Sequence, residues 1–147
     1  MICDSGFELI DHTADVGLRV WGKDWKELFE LAAKGMTSLI VDPLCVNKKE
    51  RKSLQLKEDD LETLLITWLR EILYLMEKGM VFSDFQVQGD VFSHHIKENY
   101  TVRALLMGEK IDLKRHDICT EIKAITRHGL SISRCRNHWR ANILFDV

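Results

Sequence analysis

Two short segments of the sequence carry oxygen atoms that could bind a hard metal cation. Residues 11–15 (DHTAD) place two carboxylates and an imidazole within five positions, and residues 145–147 (FDV) place the Asp146 carboxylate beside the terminal carboxyl group. Calcium and magnesium prefer oxygen ligands, whereas copper and structural zinc prefer nitrogen or sulfur. The residue types therefore favour a divalent cation, calcium or magnesium, as the cofactor of any site built here.

Each segment also has a simpler explanation. Asp and Thr side chains at a break in a strand often bind only nearby backbone N–H groups, and a terminal Asp is usually solvated. His12 could be a base, a ligand or a structural hydrogen-bond donor, and the structural role is favoured because a hard cation prefers oxygen to imidazole. Asp11 is either a reserve ligand or a backbone cap. The residue types alone do not decide between two interpretations, a metal site and a solvated loop.

The flanking elements decide whether the two segments can meet. Alternating apolar residues predict strands on both sides of residues 11–15 and a further strand that leads to Asp146. Because Phe145 is predicted to face the core, Asp146 should face the other way. If Ile122 and Ala124 also take the core face, Lys123 lies on the opposite face of its strand.

Length and composition limit the class of protein. With 147 residues, 46% of them hydrophobic, the chain suits one globular domain over residues 1–147. A net charge of −2 argues against a globally basic nucleic-acid binder. Four scattered cysteines, no secretory signal and no apolar run of membrane-spanning length predict reduced thiols in a cytoplasmic protein without a membrane partner. No phosphate-loop, dinucleotide or serine-hydrolase motif occurs.

Two stretches have the periodicity of amphipathic helices. Apolar residues recur every three or four positions over 25–40 and over 61–76. Asp24 and Asp59 each precede a Glu by three positions, as in a capping box, and Gly79 is placed like a C′ glycine. The apolar side of each predicted helix is interpreted as core.

Much of the remaining sequence alternates with a period of two, which is typical of strands. The predicted turns between the later strands are Gly89-Asp90, Gly108-Glu109, His128-Gly129 and Arg136-Asn137. Together with the helices, these strands predict an α+β fold. Its form would be a two-layer sandwich in which two amphipathic helices cover one face of a mixed, mostly antiparallel sheet.

Positive charge is concentrated in two regions. Residues 113–140 hold seven Lys or Arg side chains and two acidic ones, and Arg134, Arg136 and Arg140 fall at a predicted hairpin tip. Such side chains often protect a sheet edge, but a binding patch has the same composition. Residues 48–52 form a second basic run, interpreted as a solvated loop or edge strand.

Several motifs, taken in order along the chain, resemble one known family. Residues 11–17 (DHTADVG) are followed by Trp21-Gly22, Gly108-Glu109, residues 122–126 (IKAIT) with His128, and the closing residues 145–147. In order and spacing these motifs resemble the archease family over nearly the whole chain. The sequence departs from that family at Arg127, where an aromatic residue is usual, which puts a stacking or packing role there in doubt.

The resemblance implies a function and a set of site residues. Archeases are non-enzymatic proteins that activate a GTP-dependent RNA ligase in tRNA splicing or RNA repair, promoting its guanylylation and multiple turnover. By resemblance, Asp15, Asp146 and Val147 would bind the divalent cation. Lys123, with Asp11 and His12 as further candidates, would act on the partner. Contact with RNA is expected to be indirect or weak.

Two other functions stay open. A metal-dependent phosphohydrolase or nucleotidyl enzyme could use the carboxylates directly, which would require a deep pocket around Asp15 and Asp146. A chaperone or modulator of an RNA methyltransferase, a role also proposed in the family, would not require Asp15.

Overall fold

The computed structural model describes residues 4–11, 14–94 and 97–147, in which two α-helices, one short 3₁₀-helix and seven strands are found. The helices are α1 (Trp25–Ile40) and α2 (Leu61–Glu77), and the 3₁₀-helix covers Pro43–Cys45. The strands are β1 (Gly6–Asp11), β2 (Asp15–Gly22), β3 (Glu50–Glu58), β4 (Met80–His94), β5 (Lys97–Lys110), β6 (Ala124–Cys135) and β7 (His138–Asp146).

The strands form two antiparallel sheets, one in the order β1-β2-β7-β6 and one in the order β3-β5-β4. The predicted α+β class is confirmed. The observed sheets differ from the single mixed sheet of the prediction, because alternation identifies the faces of a strand but not its neighbours. β3, which carries Arg51 and Lys52, lies at a sheet edge, as the interpretation of the basic run allowed.

Both helices begin at an Asp N-cap, one of which was predicted correctly. The Asp24 side chain accepts the N–H of the residue three positions on, at 2.8 Å, and starts α1. The cap of α2 is Asp60, which makes the same bond at 2.8 Å, and the prediction of Asp59 was wrong by one residue. Adjacent Asp residues offer the same side chain, so only the backbone conformation selects between them. Gly79 follows α2 with a φ of 102°, as expected of a C′ glycine.

The apolar faces of both helices pack against both sheets. α1 contacts β1, β2 and β7 of one sheet and β4 of the other, and α2 contacts β6 together with β3, β4 and β5. The bulkiest fully buried side chains include Trp68, Phe29, Phe82, Phe85 and Phe145. The interpretation of the helical stripes as core is therefore confirmed.

Three of the four predicted turns were wrong. Gly89-Asp90 lies inside β4, Gly108-Glu109 lies inside β5, and His128-Gly129 lies inside β6 where its register against β7 shifts. Only Arg136-Asn137 forms a turn, and it connects β6 to β7.

Two of these glycines occur in strands because another group comes too close for a side chain. A Cβ atom on Gly89 would lie 2.2 Å from the Trp25 ring. A Cβ atom on Gly108 would lie 1.9 Å from the Val81 carbonyl oxygen. Glycine within a strand often marks such a close approach, and sequence alone does not distinguish it from a turn.

Two predictions from composition concern thiols and membranes. Cys45, Cys119 and Cys135 are exposed and form no disulfide, and Cys3 falls outside the described residues. Neither helix in the described part of the chain combines the length and apolarity that a membrane crossing requires.

Candidate functional site

The pairing of β2 with β7 brings together the two acidic segments of the sequence. Asp15, the first residue of β2, is the cross-strand partner of Asp146, the last residue of β7. Directly opposed residues of an antiparallel pair share one face, with Cβ atoms about 4.5–5.5 Å apart. The register therefore sets two carboxylates side by side, Asp15 partly buried and Asp146 exposed.

This acidic pair lies on the face of the sheet that is turned away from the core. The neighbouring residues Val16 and Phe145 oppose each other on the other face, and Phe145 is fully buried, as predicted. We call the side that carries the pair the outer face. On β2 and β7 it comprises Asp15, Gly17, Arg19, Trp21, Arg140, Asn142, Leu144 and Asp146.

The acidic pair has the donor chemistry of a hard-cation site. Like charges directly opposite each other destabilise an antiparallel pair, and a cation between them would offset that repulsion. Magnesium commonly binds through one or two carboxylates and keeps several waters. Within the part of the chain that the structure describes, no group of three His, Cys, Asp or Glu side chains could form a metal site. Two carboxylates of this kind suit a largely hydrated cation.

The other residues of the first segment are separated from the pair or lie outside the described part. Asp11, exposed at the end of β1, is the partner of Val16, so it belongs to the opposite face from Asp15. His12 falls outside the described residues. Val147, also predicted as a ligand, follows Asp146 directly and is partly buried, with its side chain packed against the core.

Lys123 adjoins the acidic pair through the backbone. Its N–H donates to the Asp146 carbonyl oxygen at 2.8 Å, and Ala124 is the partner of Asp146 on the β6 side. The expectation that Ile122 and Ala124 share the core face was wrong: Ile122 and Ile125 are buried, and Ala124 is exposed. Strict alternation fails because β6 begins only at Ala124. Lys123 is nevertheless exposed, as predicted.

Arg127 makes a specific contact at the position where the family usually has an aromatic residue. Its guanidinium donates to the Thr63 hydroxyl in the first turn of α2. The Thr63 N–H bonds in turn to Asp60, and this bond is the main cause of a lowered Asp60 pKa, with the Arg127 charge adding to it. Arg127 therefore connects β6 to the start of α2 by polar contacts.

A pocket of about 780 Å³ opens at the other end of the outer face. It is lined by Asp4, Ser5, Arg19, Trp21, Lys23, Glu27, Asn137, His138 and Arg140. Neither carboxylate of the acidic pair lines it. Part of the predicted basic hairpin thus contributes to a concave surface, a feature that residue spacing alone does not reveal.

A buried charged cluster that the sequence did not predict connects the segment after β5 to the segment before β3. The Glu109 carboxylate is 4% exposed and accepts hydrogen bonds from the Asn47 N–H at 2.6 Å, from His116 Nε2 at 3.2 Å and from the Arg115 guanidinium. The Asn47 N–H is the main cause that lowers the pKa of Glu109, aided by His116 and Arg115 and opposed by burial. Periodicity gave no signal for this cluster, because an acidic residue at a strand end usually faces water.

His116 is held in one tautomer by the same cluster. Its Nδ1 accepts the Asp112 N–H at 2.9 Å, so the proton of the neutral ring resides on Nε2. Nε2 lies 3.2 Å from both Glu109 Oε2 and the Cys45 carbonyl oxygen. The ring is 1% exposed, and its role is to fasten these two segments together.

We expect Glu109→Gln to reduce the loss of stability in acid. The pKa of Glu109 in the folded protein lies below the ordinary value of 4.5, so its contribution is complete above that pH and is lost as pH falls through the folded-state pKa. Urea unfolding at pH about 7, 4 and 3 should show a smaller acid-dependent loss for Glu109→Gln than for wild type. Glu50→Gln, at an exposed position on β3, is the matched control and should behave as wild type. Identical losses in both variants would contradict the assignment.

Comparison with known proteins identifies close relatives of the whole chain. The Archease protein family (MTH1598/TM1083) matches residues 7–147. Protein archease of Methanosarcina barkeri is 38% identical over 145 residues, covering 96% of this chain and 95% of that protein. Protein archease of Pyrococcus abyssi is 34% identical over 143 residues, covering 96% and 98%.

Two solved structures share the fold. The solution structure of Methanobacterium thermoautotrophicum protein 1598 has a TM-score of 0.78 and 29% identity, covering 97% of this chain and 99% of that one. The crystal structure of an archease from Thermotoga maritima, described as a possible chaperone, has a TM-score of 0.56 and 20% identity, covering 94% of each chain, and shows a likeness of fold alone. The family match over residues 7–147 and relatives above 30% identity establish that this chain belongs to the archease family.

Proposed function

We propose that this archease-family chain is a non-enzymatic activator of a GTP-dependent RNA ligase in tRNA splicing or RNA repair. It would promote guanylylation of the ligase and its multiple turnover, in the cytoplasm. The observation that carries the proposal is the outward-facing pair of Asp15 and Asp146, which are cross-strand partners at one end of the sheet. Carboxylates at an exposed sheet end can reach a partner protein.

The chemistry of the partner explains why such a pair would help. In guanylylation, a nucleophile of the ligase bonds to the α-phosphorus of GTP and pyrophosphate leaves. Catalysis of phosphoryl and nucleotidyl transfer depends mainly on positioning and on electrostatic stabilisation. Asp15, Asp146 and Val147 would hold calcium or magnesium, which supplies positive charge at this surface. Docked at the mouth of the ligase site, this end of the sheet would favour the aligned state of GTP and nucleophile.

Lys123 would supply the second contact with the ligase. It is exposed, and its backbone is bonded to that of Asp146, so it lies beside the acidic pair. An ammonium group at this position suits a phosphate or an acidic surface of the partner.

We expect Asp15→Asn and Asp146→Asn to abolish most of the stimulation of ligase guanylylation. The assay follows transfer of labelled GMP to the ligase, with and without each purified variant. Asp90→Asn makes the same change of charge on β4 of the other sheet and should stimulate as wild type does. Equal stimulation by wild type and Asp15→Asn would remove the acidic pair from the mechanism.

Asp11→Asn is an informative further variant. Because the register sets Asp11 on the face opposite to Asp15, its loss should reduce stimulation much less than the loss of Asp15. An equal loss would mean that the ligase contacts the whole 11–15 segment and not the outer face alone.

A chaperone function is the second candidate, favoured by the description of the Thermotoga maritima relative. Large apolar side chains are exposed at Leu44, Leu113 and Ile118, and such residues can contact a non-native partner. This function predicts protection of an RNA methyltransferase from aggregation that Asp15→Asn leaves unchanged. A phosphohydrolase function is less favoured, since Asp146 is exposed and neither carboxylate lines the 780 Å³ pocket.

A further inference from the structure

The pocket at the far end of the outer face is separate from the acidic pair. Trp21, in its wall, is six positions along β2 from Asp15, which is about 20 Å at roughly 3.3 Å per residue. Its volume of about 780 Å³ falls within the range of sites that bind small molecules. The ligase proposal makes no use of this pocket.

The central feature of the pocket is an aromatic ring beside a guanidinium. Trp21 and Arg140 are cross-strand partners, so their side chains emerge next to each other on the outer face. Trp21 also pairs with Gly6, and a Cβ atom on Gly6 would lie only 3.0 Å from the indole ring. The β1 backbone therefore packs close to one side of the ring.

The cations of the pocket differ in how far they are already engaged. Arg19 is bound to Glu8 at 2.7 Å. Arg140 and the Lys23 side chain have no hydrogen-bond or ion-pair partner among the residues whose side chains the structure describes. Asp4 and Glu27 also line the wall, and the Glu27 Oε1 accepts the Lys23 N–H at 3.0 Å, which directs that oxygen toward the backbone but leaves its negative charge. The charged groups that remain available to an anionic ligand are therefore Arg140 and Lys23.

We propose that this pocket binds a nucleotide unit, with the base stacked on Trp21 and the phosphate bound by Arg140 and Lys23. Aromatic rings stack on any nucleobase, and guanidinium groups bind phosphate with charge-assisted hydrogen bonds. Asn137 and His138, also in the wall, can hydrogen-bond to a base edge or a ribose. A free nucleotide and an unpaired nucleotide of an RNA strand present the same groups, so both are candidate sources.

Fluorescence anisotropy with a labelled single-stranded RNA decamer tests the proposal on the whole protein. Arg140→Gln should weaken binding roughly tenfold, because one charge-assisted contact is lost. Arg134→Gln is the matched control: it removes the same charge from the same hairpin, but Arg134 pairs with Trp139 on the opposite face and stacks over its ring at 5.4 Å. Arg134→Gln should bind the decamer as tightly as wild type does. Raised salt should weaken the binding of the decamer by wild type and by Arg134→Gln.

Trp21 supplies a second, independent test. Trp21→Leu should weaken binding by about tenfold, and Trp21→Phe, which keeps an aromatic ring, by less. Thermal unfolding of each variant checks that it is folded; if Trp21→Leu is not, Trp21→Phe and Arg140→Gln still decide. Competition with unlabelled AMP distinguishes the sources: displacement shows that one nucleotide suffices, and its failure shows that a strand is required.

Three results would overturn the proposal. They are absence of binding to both the decamer and AMP, wild-type binding by Arg140→Gln, and equal losses in Arg140→Gln and Arg134→Gln, which would indicate diffuse attraction of charge. The assay contains no ligase, so its failure leaves the proposed activation of the ligase untouched, and the reverse also holds.

Discussion

Calcium or magnesium at about a hundred times its dissociation constant is expected to raise the free energy of unfolding by about 2.7 kcal/mol. The reason is that Asp15 and Asp146 come together only in the folded chain, where the β2–β7 register makes them partners. A cation that binds the folded state alone stabilises it by mass action. Urea unfolding over a titration of each cation, at constant ionic strength, measures the effect.

Variants of the pair separate specific binding from a general effect of salt. Asp15→Asn and Asp146→Asn should each lose most of the cation-dependent stabilisation, whereas Asp90→Asn on β4 should keep it. Without cation, Asp15→Asn should be as stable as wild type or more stable, by roughly 0.2–1 kcal/mol, because the like-charge repulsion is removed. Equal stabilisation of wild type and Asp15→Asn by calcium and by magnesium would rule out a cation site at the pair. This measurement needs no ligase, so it can fail or succeed independently of the guanylylation assay.

Trp68→Ala is expected to lower the free energy of unfolding by about 3–5 kcal/mol. The Trp68 side chain is 0% exposed and lies at the centre of an aromatic cluster, with ring centroids 6.5 Å from Phe29 and 6.4 Å from Phe85. Its Nε1 also donates to the Phe29 carbonyl oxygen at 2.9 Å, which joins α2 to α1. Since whole proteins of this kind are stable by roughly 5–15 kcal/mol, such a loss would leave the fold marginal.

Trp68→Phe serves as the control for this prediction. It keeps an aromatic ring but removes the indole N–H that donates to the Phe29 carbonyl oxygen, which retains its bond within α1. The expected loss is smaller than that of Trp68→Ala, with roughly 0.5–1.5 kcal/mol of it from the lost hydrogen bond. Chemical denaturation of the three proteins gives the comparison. A loss below about 1 kcal/mol for Trp68→Ala would mean that α2 does not contribute the central part of the core.

The helices were predictable because their signals are local. The three- and four-residue spacing of apolar side chains, the cap at Asp24 and the glycine at position 79 each depend on neighbours within one or two turns. The cap of α2 was misassigned by one residue, because Asp59 and Asp60 carry the same side chain and the sequence does not show which of them adopts the cap conformation. The division of the strands into two sheets was not predictable, since periodicity does not reveal which strands pair.

The wrong predictions of turns and of strand faces have a common physical origin. Gly89 and Gly108 were interpreted as turn residues, but their missing side chains make room for the Trp25 ring and the Val81 carbonyl group, which lie far away in sequence. Ala124 was assigned to the core by alternation. In the structure it is the first residue of β6 and the cross-strand partner of Asp146, on the face turned away from the core. Distant contacts override local pattern in each case.

The sequence by itself determined the family, the two amphipathic helices and the chemical type of the candidate ligands, because these depend on residue identity and short-range spacing. Only the tertiary structure decided that Asp15 faces Asp146, that Asp11 belongs to the opposite face, and that Trp21 and Arg140 line one pocket. Strand register accounts for the difference: a shift of one residue moves every side chain of a strand to the other face, and register is set by packing across the whole sheet.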